Sequence, residues 1–85
     1  MDGNYIKLSR GLLDWEWYTD INTTRLFIHM LLKANWKDGR FEGKEIPKGS
    51  FVSSVARLAE ETDMTPREIR TGLDHLKSTG EVTIK

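Results

Sequence analysis

Basic and hydroxyl side chains are the groups of this 85-residue chain whose types and spacing could bind a ligand. Arg67 and Arg70 stand three residues apart, and Thr71 follows directly. A guanidinium group can donate two parallel hydrogen bonds to guanine or bind a phosphate, and threonine can contact a base edge or a thymine methyl group. These residue types predict recognition of a nucleic acid, provided that one element presents them together.

Residues that could support catalysis or hold a metal are isolated in the sequence. His29 and His75 show no metal-ligand spacing, and the chain contains no cysteine. Glu60 and Glu61 are adjacent on a predicted helix, so their side chains diverge. No glycine-rich phosphate loop or nucleophile-elbow motif occurs. We therefore expect a protein that is not an enzyme and needs no cofactor, with His29 as a packed or half-exposed helix residue.

The segment that carries the arginines opens with a specific helix-start signal. Thr65 is suited to be the N-cap, Pro66 stands at the first helical position, and Glu68 completes a capping box three residues after the cap. A second, shorter helix is predicted just before it, over residues 54–62. Two helices joined by so short a turn must cross steeply, which is the geometry of a helix-turn-helix.

Apolar spacing supports that interpretation. Ile69, Leu73 and Leu76 lie four and three residues apart, so they share one helical face. Ala59 is small enough for close helix contact, and Asp63 is one of the few residues that tolerate a left-handed turn. The sequence predicts a helix-turn-helix whose recognition helix spans about 66–79; an ordinary helical hairpin is the alternative.

The polar side chains of both helices are the candidate DNA contacts. Arg67 lies in the first turn, which usually reaches base edges, whereas Arg70 and His75 are expected at the flanks, near phosphates. Thr65 could present its amide to a phosphate. Asp74 shares this face and would repel phosphates unless it accepted from cytosine N4. The predicted contact residues are Ser54, Arg57, Thr65, Arg67, Arg70, Thr71, His75, Lys77 and Lys85.

Three main helices are predicted, over residues 24–35, 54–62 and 66–79. The first has apolar residues around most of its circumference, which is typical of a central, buried helix. The candidate caps are Asn22, Thr23 or Thr24 for the first helix, Ser53 or Ser54 for the second, and Gly80 at the end of the third.

Short strands are expected between and beside these helices. A strand over residues 5–8 and a helical turn near Leu12 precede the first helix, and residues 41–46 read as an edge strand. Residues 51–52 should pair with residues 82–84 in a small antiparallel sheet. The predicted fold class is therefore mainly α, a winged helix-turn-helix with a truncated wing. Residues 1–85 are interpreted as one domain, the N-terminal fragment of a longer protein.

Charge and composition limit the possible partners. Thirteen basic residues balance thirteen acidic ones, whereas DNA-binding domains are often strongly basic. A single copy should therefore bind DNA weakly and with strong salt dependence. The sequence has no apolar run long enough for a membrane span and no signal peptide, and the lack of cysteine fits a reducing compartment. These patterns favour a cytoplasmic protein without membrane contact.

Four aromatic residues have two interpretations. Trp15, Trp17, Tyr18 and Trp36 could cover the helical core, or they could form an exposed patch for self-association. Exposure of their rings distinguishes the two.

Three stretches of the chain resemble the N-terminal domain of DnaD-like replisome organisers and related phage replication proteins. They are YIKLSRGLLDWEWYTD, TRLFIHMLLKANWKDG and the segment from IPKGSFVSS to LKSTGEVTIK. The resemblance implies a winged-helix domain of replication initiation, with DNA and other replication proteins as partners and self-association within the family's range. Duplex DNA is the expected ligand and single-stranded DNA a second one. The alternative function is a non-catalytic protein-interaction module built on the same fold.

Overall fold

A computed structural model describes residues 5–35 and 38–84 of the chain. Three α-helices, α1 (Ile21–Lys33), α2 (Val55–Thr62) and α3 (Pro66–Ser78), pack around one core. A 3-10 helix (Arg10–Asp14) precedes α1, and two short strands, β1 (Gly39–Phe41) and β2 (Lys44–Ile46), lie between α1 and α2. The predicted fold class is confirmed: the domain is mainly helical, with a small antiparallel sheet, and is winged-helix-like.

Helix α1 begins three residues before the predicted start. Its N-cap is Asp20, whose carboxylate accepts a hydrogen bond from the Thr23 amide at 3.1 Å. The predicted caps are wrong because these threonines have other partners. Thr23 is buried, and its hydroxyl forms a hydrogen bond with Nδ1 of His75. The Thr24 hydroxyl donates to the Trp17 carbonyl. The prediction of a central, buried α1 is wrong, because only Thr23 and Leu26 of this helix are buried and one side of it is open to solvent.

The helix-turn-helix follows its local signals closely. Ser54 is the N-cap of α2, and Asp63 ends this helix in the left-handed conformation with φ 58°. Thr65 and Glu68 form the reciprocal hydrogen bonds of the predicted capping box, with Pro66 at the first helical position. The turn between α2 and α3 is therefore encoded by the residues in and next to it, because capping and turn chemistry are local.

One face of α3 forms the centre of the core. Ile69 and Leu76 are completely buried, and Leu73 is half-buried against them. Gly72 is buried at the contact with α1, where an added Cβ would lie 2.9 Å from Leu26 Cδ2. The helix ends at Ser78 with Thr79 as its C-cap, so the predicted cap residue Gly80 lies one position further on, in the left-handed conformation with φ 81°. The buried apolar residues of the core are Leu26, Leu58, Ala59, Met64, Ile69 and Leu76.

The two strands form a hairpin instead of the single edge strand expected over residues 41–46. Gly39 pairs with Ile46 and Phe41 with Lys44, across a two-residue turn at Glu42 and Gly43. Both turn residues have positive φ, 51° and 79°, as the favoured hairpin turns require. Within the described residues, neither strand comes close to a helix.

Two further strand predictions are wrong. Residues 5–8 form no strand, although the helical turn expected near Leu12 is present as the 3-10 helix. Residues 51–52 and 82–84 do not pair but lie along the walls of a groove of about 620 Å³. Phe51 and Val82 are half-buried against the core, whereas Val52 and Ile84 are exposed, and the backbones of the two segments do not join. No strand follows α3 within the described residues.

Candidate nucleic-acid interface

The outer face of α3 carries the side chains predicted to contact DNA. Arg67, Arg70, Thr71, Asp74 and Lys77 are all exposed, whereas Ile69 and Leu76 point into the core. Arg67 follows Pro66 directly and therefore lies in the first turn of the helix. Arg70 and Lys77 are seven residues apart, which places them on the same flank, two turns from each other.

Electrostatics leave these cations available to a ligand. Arg57, Arg67 and Arg70 form no ion pair with another described residue. The ion pairs that do form involve His29 and Lys33 with Glu61, and His75 with Asp20. Asp74 remains the one exposed acid between Arg70 and Lys77, so it lowers the positive potential of this face.

Helix α2 contributes two of the predicted contacts. The Ser54 hydroxyl accepts a hydrogen bond from the Arg57 amide at 3.1 Å, because Ser54 caps the helix. The hydroxyl group of Ser54 can still donate its own hydrogen to a ligand. Arg57 is exposed in the first turn of α2, where the first helix of such a motif crosses the DNA backbone.

Thr65 cannot offer its amide to a phosphate in this conformation. That N–H donates to Glu68 Oε1 at 2.8 Å, and the Thr65 hydroxyl accepts from the Glu68 amide at 3.1 Å. The backbone hydrogen bond from Thr65 is the main cause that lowers the pKa of Glu68, so the carboxylate stays ionised at neutral pH. A phosphate at this point would have to displace the Glu68 carboxylate, which is also negatively charged. The role of Thr65 in the structure is to cap α3.

His75 also has a partner within the chain. Its Nδ1 lies 2.8 Å from Thr23 Oγ1, and its ring stacks on Trp17 at a centroid distance of 4.2 Å. The half-buried ring therefore faces α1 and the turn before it, away from the flank that carries Arg70. Nδ1 of His75 and one face of its ring therefore already have partners within the chain.

Two predicted DNA contacts remain, Lys77 and Lys85. Lys77 is exposed near the end of α3. Lys85 and Trp36 lie outside the described residues. The structure thus brings Arg67, Arg70, Thr71 and Lys77 onto one helix, with Arg57 on its neighbour.

Two groups of polar residues were missed in the sequence. Arg40, Lys44 and Lys48 are exposed on and beside the hairpin. The sequence predicted a single edge strand here, so it gave no reason to group these three residues. Asp20 and Asn22 contact α3, and the only signal for Asp20 was its position three residues before a threonine.

Other kinds of site find little support in the described part of the chain. No three His, Asp or Glu side chains between residues 5 and 35 or 38 and 84 come together as metal ligands would. His29 is half-buried on α1 and hydrogen-bonds Glu61 at 2.9 Å, which agrees with the expected packed helix residue.

The described helices are too short or too polar to cross a lipid bilayer.

Comparison with known proteins does not assign this chain to a family. The fold and the exposed face define a winged-helix-like domain with an open helix-turn-helix. No protein-family model, curated protein or solved structure matches the chain. The resemblance to DnaD-like replisome organisers stays a prediction.

Proposed function

We propose that this chain is a non-catalytic DNA-binding domain of a phage-type replication initiation protein, with α3 as its recognition helix. One observation carries the proposal. Arg67, Arg70 and Thr71 stand exposed at the start of α3, and neither arginine has an acidic partner among the described residues. The replication role and the cytoplasmic location rest on the sequence resemblance and composition alone.

The helix has the dimensions for the major groove of B-DNA. Thirteen residues give α3 a length of about 20 Å, and the groove is about 12 Å wide. In that placement, Arg67 in the first turn contacts guanine O6 and N7 with two hydrogen bonds, and Thr71 lies one turn further along the base edges. Arg70 and Lys77 on the flank then face phosphates, and Arg57 contacts the backbone from α2.

Charge sets the strength of this binding. With Arg57, Arg70 and Lys77 as phosphate contacts, the logarithm of affinity should fall with the logarithm of salt at a slope of about −2.7. Raising salt from about 50 to 200 mM then weakens binding about 40-fold. Because the chain has no net charge, little long-range attraction adds to these contacts.

The test is a titration of labelled duplex and single-stranded DNA, read by fluorescence anisotropy at those two salt concentrations. Arg70→Ala should weaken binding to any duplex, and Arg67→Ala should weaken binding to a duplex that holds a preferred site. Arg25→Ala is the matched control, because it removes the same charge from an exposed position on α1. Absence of duplex binding at low salt, or equal losses in all three variants, would refute the proposal.

A second function is favoured by exposed apolar residues on α1. Ile21 is 79% and Leu32 60% exposed, on the side of the helix turned away from the core. Together with the neutral charge and Asp74, they suit a protein-interaction module. Trp15 and Trp17 fit this role less well, since both are half-buried against the core. Light scattering of wild type and Leu32→Ser would reveal self-association through this side of α1.

A further inference from the structure

A row of polar contacts joins α3 to the start of α1. Glu68, His75 and Thr79 are seven and four residues apart, so they line one flank of the helix. Each contacts a residue between Trp17 and Thr23. We call this row the polar seam. It lies opposite the flank of Arg70 and Lys77, and none of its members is explained by the apolar core.

The seam joins the first turn of α1 to two levels of α3. At the first turn of α3, Asn22 Nδ2 donates to Glu68 Oε2 at 3.1 Å. Two turns later, His75 Nδ1 lies 2.8 Å from Thr23 Oγ1 and 3.3 Å from Asp20 Oδ2. Asp20 is also the N-cap of α1, so a single carboxylate links the start of α1 to the side of α3.

Trp17 extends the seam to the end of α3. Its ring stacks on the His75 imidazole with planes only 6° apart, and its indole N–H donates to Thr79 Oγ1 at 3.0 Å. The Trp17 carbonyl in turn accepts from the Asp20 amide at 2.9 Å and from the Thr24 hydroxyl at 2.6 Å. The tryptophan is thus fixed to α1 by its backbone and to α3 by its side chain.

Directional contacts at this place control the orientation of α3. Apolar packing of Ile69 and Leu76 is not directional, so it tolerates small rotations of a helix about its axis. With side chains ending about 5–6 Å from the axis, a rotation of about 10° moves them by about 1 Å. Hydrogen bonds to base edges have a distance range of only about 0.5 Å, so such a rotation would break them.

We infer that Trp17 and His75 are positioning residues, which fix the rotation of α3 and so hold Arg67 and Thr71 towards DNA. The inference rests on the proposed function for its DNA-binding consequence, but the orientation of α3 can be measured without DNA. This role differs from the self-association patch considered for Trp17 and from the phosphate contact predicted for His75.

The sharpest test compares Thr79→Val with Thr79→Ser. Valine keeps the size of threonine but removes the hydroxyl that accepts from the Trp17 indole and donates to the His75 carbonyl, whereas serine keeps it. Thr79→Val should weaken duplex binding about threefold to tenfold, the range of one net hydrogen bond, and Thr79→Ser should restore it. Trp15→Phe is the control, because Trp15 packs on Phe27 of α1 at 4.9 Å and contacts no polar seam residue.

A double-mutant cycle shows whether the two residues act through one contact. Trp17→Phe keeps an aromatic ring over His75 but deletes the indole donor. Combined with Thr79→Val, it should lower affinity no further than either change alone. All measurements are made where circular dichroism shows each variant to be fully folded. Losses of affinity that add in the double variant would overturn the inference. So would wild-type affinity in both single variants under conditions in which Arg67→Ala binds weakly.

Nuclear magnetic resonance separates this inference from the proposed function. In Thr79→Val the amide signals of Arg67 to Asp74 should shift, although these residues lie one to three turns from the substitution, and in Thr79→Ser they should not. If wild type binds no duplex, the proposed function fails and these shifts alone decide on the positioning role. Signals that change only next to residue 79 would refute it.

Discussion

Replacing Gly72 by alanine should destabilise the domain even though glycine is a poor helix former. Alanine in the middle of α3 gains about 1 kcal/mol of helix propensity. Against this, the new Cβ lies 2.9 Å from Leu26 Cδ2, a contact that real side chains do not make. Leu26 is completely buried, so its methyl group has no empty space to enter.

The balance of these two effects gives the size of the change. Overpacking of a tight core costs about 1–3 kcal/mol. After subtraction of the propensity gain, Gly72→Ala should lower the free energy of unfolding by about 1 kcal/mol. For a domain of this size, that corresponds to a fall in Tm of about 4–8 °C in thermal unfolding followed by circular dichroism.

Two controls make this test decisive. Thr71→Ala, on the exposed side of the same turn, should keep or raise Tm, because it changes propensity without adding a buried atom. Leu26→Val should be less harmful in the Gly72→Ala background than in wild type, with a coupling of about 0.5 kcal/mol or more, since it removes the clashing methyl. A higher Tm for Gly72→Ala would refute the close-contact explanation.

Three other predictions concern the caps and the DNA face. Hydrogen bonding lowers the pKa of Glu68 below its ordinary 4.5. The ionised carboxylate therefore stabilises the fold above that pH, and this stabilisation is lost as pH falls through the lowered pKa. In Glu68→Gln, the free energy of unfolding measured with urea should therefore fall less steeply as the pH is lowered. Asp20→Ala should cost about 1 kcal/mol in chemical denaturation, because Asp20 caps α1, whereas the exposed Asp14→Ala should be neutral. Arg67→Ala should weaken binding to a preferred site by about 1–3 kcal/mol but leave non-specific binding nearly unchanged; Arg70→Ala should weaken both and reduce the salt slope by about one unit.

Local chemistry explains why the second half of the fold was predictable. The Ser54 cap, the left-handed Asp63 and the capping box of α3 each depend on residues within four positions of one another. The outward position of Arg67 and Arg70 follows from helical periodicity alone. These features need no knowledge of distant parts of the chain.

Features that depend on distant contacts were predicted poorly. The start of α1 was misplaced because Thr23, a good cap by type, is drawn into the core by His75, 52 residues away. The same contact directs His75 towards α1. Pairing of residues 51–52 with 82–84 satisfied the strand pattern, but Phe51 and Val82 bury their side chains without it. Periodicity describes the faces of an element and carries no information about its partner.

The β1–β2 hairpin offers a practical site for labelling the protein. Because neither strand comes close to a helix in the described part of the chain, its amide hydrogens should exchange with solvent by local opening, well before those of Ile69 or Leu76. A short tag or a dye-carrying cysteine inserted between Glu42 and Gly43 would enlarge only an exposed turn. The helix-turn-helix could then be tested for DNA binding with a reporter that touches neither the core nor α3.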